Sequence, residues 1–219
     1  MANYCRIDSI GEHVKSFALC LEDDRFYIEK WYDLKMMRYF FFYNIRHRET
    51  KRGASTITQQ LAKNMYFAFE KTYFRKASEW FVARELYRVL SKDEILELYL
   101  NIVYFGNGQY GIGDAASFYF DKAPKDLTIN QSVMLIAILC MPTRANPLKH
   151  PDIFLRRRRK ALLRLATRGL ITLDEANQII RDYSDAMLDP ELRVDRPVDA
   201  EDRVPPLNEA FYFEYFAIN

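Results

Sequence analysis

Three Ser/Thr-x-x-Glu/Gln sequences punctuate this chain: Ser91-Lys92-Asp93-Glu94, Thr128-Ile129-Asn130-Gln131 and Thr172-Leu173-Asp174-Glu175. In such a box the hydroxyl accepts from the third helical amide and the acid or amide side chain reaches back to the capping residue. Two backbone donors that a helix start leaves open are then satisfied. The spacing predicts helices beginning near residues 92, 129 and 173. Glycine and proline are scarce, seven and eight in 219 residues, which disfavours a turn-dense sandwich or barrel. Lys76 to Leu90 places Trp80, Ala83, Leu86 or Tyr87, and Leu90 on one helical face. Ser132 to Met141 is apolar all round and ends before Pro142, as a central buried helix would. Asp152 to Arg168 reads as a basic helix that Gly169 terminates. No run alternates with period two, so the chain reads as mostly α.

Four of the seven glycines fall within Gly106 to Gly113, marking one loop as special. From about Tyr183 prolines sit among charges, a linker composition. Net charge is +2, so no bulk polycation drives nucleic-acid binding, and any electrostatic function rests on local clusters. Three cysteines, Cys5, Cys20 and Cys140, have neither disulfide-framework nor zinc spacing. No stretch approaches the roughly 20 apolar residues of a membrane span, and the first residues lack the apolar core of a signal peptide. The chain therefore reads as soluble or peripheral. Aromatic residues make up 15%, a proportion that suits a core or a membrane interface.

Two carboxylate segments carry candidate chemistry. Glu22-Asp23-Asp24-Arg25-Phe26 follows the apolar run Phe17 to Cys20, so Glu22 falls at the end of a buried helix, shielded as a general base needs. A solvated helix end is the competing reading. In Arg75-Lys76-Ala77-Ser78-Glu79, Arg75 and Glu79 are four apart, and an ion pair of about 0.3 to 0.5 kcal/mol is the plain explanation. Between them, Ser55, Gln59, Gln60, Lys63 and Asn64 place donors and acceptors at helical spacing. A helix start near Ser55 would point free amides at an anion, with Lys63, Lys71, Arg75 and Lys76 adding side-chain cations.

Together these segments resemble the peptidoglycan glycosyltransferases (glycosyltransferase family 51). Glu22 to Phe26 is similar to the family's first motif, Glu-Asp-x-x-Phe-x-x-His-x-Gly. Gly53 to Asn64 resembles the second, Gly-Gly-Ser-Thr-Ile-Thr-Gln-Gln with its continuation. Arg75 to Glu79 resembles the third, Glu97 to Ile112 the fourth, and Leu135 to Pro142 with Asn146-Pro147 the fifth. The resemblance covers about residues 7 to 185. Glu29 stands where the family has His, Trp31 where it has Gly, and Ala54 in place of the second motif's second Gly.

The resemblance implies a mostly α, lysozyme-like large lobe with a small hydrophobic, membrane-apposed lobe. It divides the chain into a glycosyltransferase domain over 1–185, with 31–48 apposed to the membrane, and a charged, Pro-containing linker or tail over 186–219. The implied reaction polymerises lipid II into β-1,4-linked glycan with inversion and releases polyprenyl diphosphate. Glu22 and Glu79 are the implied catalytic residues, Glu22 as base and Glu79 orienting cations. Asp23, Ser55, Thr56, Gln59, Gln60, Lys63, Asn64, Lys71, Arg75, Lys76, Asn101 and Tyr104 are implied in substrate binding or in bracing the cleft. No organic cofactor is implied; a divalent cation, magnesium or manganese, fits near Glu79. Implied partners are lipid II, the growing strand, the membrane surface and other cell-wall synthesis proteins, with no nucleic acid. The implied location is the extracytoplasmic face of the cytoplasmic membrane, the anchor being absent from this chain. For Arg144 to Arg168, with nine Arg or Lys against one acid, proximity to anionic headgroups is expected. Two rival readings are a catalytically impaired homologue that binds lipid II and a lytic muramidase.

Overall fold

A computed structural model describes residues 3–32, 38–39, 42–43, 46–47, 55–66, 73–139, 141–182 and 192. Lys71 and Ala54 lie outside the described residues, as do the side chains of Arg75 and Lys76. Helices dominate: α1 (Glu12–Glu22), α2 (Ile57–Tyr66), α3 (Tyr73–Val89), α4 (Lys92–Ile102), α5 (Ile112–Phe120), α6 (Ile129–Leu139), α7 (Pro151–Thr167) and α8 (Leu173–Asp182). The β-structure among the described residues is a single bridge between Tyr104 and Tyr110.

All three capping boxes form. The Ser91 hydroxyl accepts from the Glu94 amide at 3.2 Å while Glu94 accepts from the Ser91 amide at 2.7 Å. Thr128 with Gln131 and Thr172 with Glu175 repeat the exchange. The helices begin at Lys92, Ile129 and Leu173, where the boxes put them. At the other end of α7, Gly169 adopts φ +72°, and Leu170 donates to the Leu165 carbonyl at 3.0 Å. This is a left-handed C-terminal closure that only glycine adopts without strain.

The core follows from which helices are apolar all round. Every residue of α6 from Asn130 to Leu139 is buried, as a helix without a polar face must be. α6 packs against α1 and α7, while α2 packs against α3 and α4. α1 contributes Val14, Phe17 and Ala18, and α4 contributes Ile95, Leu98 and Tyr99. On α3 the buried face runs through Glu79, Ala83 and Leu86 rather than starting at Trp80. A carboxylate therefore occupies a position that hydrophobicity assigns to a ring. Leu192, from the segment read as linker, is buried with the core.

The glycine loop is built for backbone contact. Gly106, Gly108 and Gly111 have φ of +80°, +74° and +84°. A Cβ on Gly111 would collide with the Asn101 carbonyl, and one on Gly113 with the Asn3 carbonyl. Buried Asn107 and Asn146 join side chain to side chain at 2.7 Å, and the Tyr119 hydroxyl donates to the Phe105 carbonyl at 2.9 Å. The segment Asn3 to Ile7 is strapped across α4 and α5. Asn101 accepts from the Cys5 amide and donates to its carbonyl, both at 2.8 Å, and Glu97 accepts from the Tyr4 hydroxyl and the Ile7 amide.

The basic helix is only partly a surface. Arg158 is buried, and Arg157 turns inward to the Ala137 carbonyl and the Met141 sulfur. Arg164 and Arg168 reach Asp24. Arg156, Arg159 and Lys160 are exposed.

Candidate active site

The C-terminal end of α1 meets the N-terminal half of α2, and that junction gathers the first two motifs. Glu22 is the last residue of α1, half-buried. The Gln60 side-chain amide donates to its carboxylate at 3.1 Å. Tyr99, fully buried on α4, donates its hydroxyl to the Gln60 carbonyl oxygen at 3.2 Å. That bond fixes which way the Gln60 amide faces, so its NH₂ points at Glu22.

Asp23 follows at once and does something else. Its carboxylate accepts from the Ile57 amide at 3.0 Å, the first residue of α2. Thr56 supplies the ordinary cap, its hydroxyl accepting from the Gln59 amide at 3.3 Å while donating to the Trp31 carbonyl at 2.9 Å. A helix start near Ser55 with amides free for an anion is therefore corrected: α2 begins at Ile57, and the anion at its end is the protein's own Asp23. A carboxylate there is held by both the amide and the helix dipole. Burial still pushes the Asp23 carboxyl above its ordinary range, opposed by the Ile57 amide and the nearby Lys92 charge.

Along α2, Thr56, Gln59, Gln60, Lys63 and Asn64 share one face, while Leu61, Ala62 and Met65 are buried on the other. Lys63 is exposed, and Ser55 and Asn64 are half-buried. Gln59 is buried, and its side-chain nitrogen finds no partner among the described residues. Glu79, 2% exposed, lies on α3, the helix packed along α2. Among the described residues no group of three or more His, Cys, Asp or Glu is placed to hold a metal ion.

Two residues expected at the substrate are otherwise engaged. Asn101 is buried and makes three bonds to the backbone of Cys5 and Glu97. Tyr104 accepts from the Gly108 amide at 3.3 Å and lies against Tyr110 with ring centroids 4.7 Å apart. Both brace the glycine loop and the strap.

Sequence reasoning missed Tyr99, Asp24 and Lys92. Lys92 is the first residue of α4. Its ammonium donates to the Glu29 carbonyl at 2.9 Å and lies 4.4 Å from the Phe26 ring centre and 4.9 Å from that of Tyr87. Burial lowers its pKa, opposed by the Asp23 and Glu29 carboxylates. The two departures from the first motif are accommodated locally. Glu29 pairs with Arg25 at 2.7 Å, and Trp31 meets Trp80 edge to face at 4.5 Å. Nothing in the sequence tied Lys92 to the first motif, because the two are more than 60 residues apart.

Comparison with known proteins identifies the family. The family model described as Transglycosylase matches residues 1–166. Penicillin-binding protein 4 of Bacillus subtilis (strain 168) is 39% identical over 189 residues, covering 86% of this chain and 30% of that protein. Penicillin-binding protein 1F of the same organism is 40% identical over 170 residues, covering 78% and 24%. Penicillin-binding protein 1A of Aquifex aeolicus (strain VF5) is 36% identical over 177 residues, covering 81% and 24%. The chain thus spans less than a third of the length of these curated relatives. A crystal structure of penicillin-binding protein 1A from Haemophilus influenzae is similar over 54% of this chain and 15% of that one, at 27% identity and a TM-score of 0.38, too low a score to define the fold by comparison. With the family matched over most of its length and the first two motifs joined in space, the chain belongs to the transglycosylase family.

Proposed function

We propose that this chain is a peptidoglycan glycosyltransferase that polymerises lipid II into β-1,4-linked glycan with inversion, releasing polyprenyl diphosphate. The observation that carries it is the 3.1 Å bond between Gln60 and Glu22, which sets a carboxylate of the first motif against the polar face of the second. In this reading Glu22 removes the proton from the attacking GlcNAc 4-hydroxyl, a poor nucleophile unaided. The bond to the anomeric carbon forms as the bond to the diphosphate oxygen breaks. The diphosphate leaves as an anion and needs positive charge rather than a general acid. With the α2 end already occupied by Asp23, that charge falls to Lys63, exposed on the same face as Gln60, and to Lys71, Arg75 and Lys76. Ser55, Gln59 and Asn64 line the same helix as sugar and phosphate contacts, and Glu79 orients the cations from α3. A glycosidase would instead require a carboxylic acid to protonate a sugar oxygen.

Residues 1–185 are the glycosyltransferase unit in this proposal and 186–219 a charged, Pro-containing linker or tail, of which Leu192 is buried with the core. The 31–48 segment faces the membrane, consistent with exposed Tyr39 and Phe42. Among the described residues no helix is long and apolar enough to cross a membrane; the proposed position is the extracytoplasmic face of the cytoplasmic membrane. Other cell-wall synthesis proteins remain the proposed partners.

The test is incubation with lipid II and separation of products by gel. Wild type should form polymer, and Glu22→Gln should lower the rate about 10²- to 10⁴-fold, the usual contribution of a general base, with an unchanged melting curve. Full activity in Glu22→Gln removes the base assignment. Retained lipid II without polymer indicates a binding protein, and sugar fragments released from finished wall indicate a muramidase.

A further inference from the structure

The turn after Glu22 has one cation beneath it, and that cation belongs to neither the first motif nor the second. Lys92 projects from the start of α4, donates to the Glu29 carbonyl, and is seated on the Phe26 and Tyr87 rings. Phe26 itself is buried, so the ammonium lies between an apolar floor and the backbone of residues 23–29. The turn is closed on itself by bonds from the Phe26 amide to the Asp23 carbonyl and from the Glu29 amide to the Arg25 carbonyl, at 3.1 and 2.8 Å. Arg25 pairs with Glu29, which leaves Lys92 as the cation whose charge acts on Asp23. Asp23 caps α2, and α2 carries the Gln60 that holds Glu22.

We propose that Lys92 is a positioning residue for the base: by holding the 23–29 turn and balancing Asp23, it keeps α2 docked so that Gln60 faces Glu22. This deepens the role given to Glu22 above and rests on it. The route runs from Lys92 through the Glu29 carbonyl to the 23–29 turn, from Asp23 at the head of that turn to the Ile57 amide, and from Gln60 to Glu22, while the Lys92 charge acts on Asp23 through space. Cation–π seating weakens little with salt in a desolvated site, so the arrangement also explains why an ammonium is kept where burial disfavours it.

The charged and titratable groups acting on Asp23 are Lys92 from α4 and Asp24 beside it, with the backbone amides of Ile57 and Arg25 as donors; those acting on Lys92 are Asp23 and Glu29. Replacing Lys92 with Met keeps the stem and removes the charge. Because the fold disfavours that charge, Lys92→Met should fold. Lys92→Gln, which retains a donor for the Glu29 carbonyl, is read by the same criteria should the Met protein lack a cooperative melt. The expected results on the 219-residue chain are faster hydrogen exchange at the Ile57 and Gln60 amides, an Asp23 carboxyl titrating at higher pH by carbon NMR, and, with lipid II, kcat lowered about tenfold with KM within about twofold. Lys92→Arg should restore most of the rate. Unchanged exchange and an unmoved Asp23 titration overturn the proposal, whatever Glu22→Gln does. Lost activity in Lys92→Met with full activity in Glu22→Gln would leave Lys92's placement intact and overturn the base assignment instead.

Discussion

Adjacent carboxylates at a helix end repel one another, and here each is given its own donor: Gln60 for Glu22, the Ile57 amide for Asp23, and Arg168 with Arg164 for Asp24. The burial that raises the Asp23 pKa has a thermodynamic sign. Between the unfolded value near 3.9 and the raised folded value, the native state keeps a proton that the unfolded chain has lost. Stability from this group therefore falls as pH rises through that window and is level above it. Asp23→Asn keeps an acceptor for the Ile57 amide and cannot titrate. Its melting temperature relative to wild type should improve on going from acid to neutral pH; a difference that stays constant with pH would contradict the assignment. At this scale the sequence was legible wherever the motif was contiguous. Glu22, Asp23 and Gln60 are all singled out, yet the capping of a helix 34 residues away by Asp23 is not legible, because no local pattern records the Ile57 amide.

Helix starts were the most legible elements. A capping box is local, and its four residues contain the whole interaction, so residues 92, 129 and 173 were placed without knowledge of the tertiary fold. Ser91→Ala and Thr172→Ala should each cost about 1 kcal/mol, read from denaturant midpoints. The glycine loop was legible only as unusual. Its purpose lies in what approaches it, the carbonyls of Asn101 and Asn3, and no local pattern records those neighbours. Gly111→Ala should cost more than a cap, about 1 to 3 kcal/mol for the backbone conformation alone and further for the collision with Asn101. A melting curve matching wild type would show that the loop yields. The start of α2 was misplaced by two residues because Thr56, not Ser55, holds the cap, a choice made by the Trp31 carbonyl that also binds it.

At the scale of the molecule, the basic character of α7 proved the least legible property. A run of Arg and Lys implies a solvated or lipid-facing helix, but amphipathicity divides the run. Arg158 and Arg157 turn inward, Arg164 and Arg168 turn to Asp24, and Arg156, Arg159 and Lys160 remain outside. The exposed Asp24 pairs should contribute no more than about 1 kcal/mol. Arg168→Ala is thus expected to leave the melting temperature within about 4 °C of wild type, and a larger loss would mean that the contact carries the α1–α7 packing. Asn101→Ala, by contrast, strips the strap of its anchor and leaves half-buried Cys5 backbone groups without their side-chain partner, at the lower end of about 1 to 3 kcal/mol for each.

That strap joins residues 90 to 111 positions apart in the chain. During synthesis at about 5 to 20 residues per second, the seat for Asn3 to Ile7 is finished only when Gly113 has left the ribosome. For roughly 5 to 20 seconds after its own emergence, α1 carries Val14, Phe17 and Ala18 with neither α6 to cover them nor the strap to hold its entry. The helix that ends in Glu22 is therefore made before the elements that fix it in place.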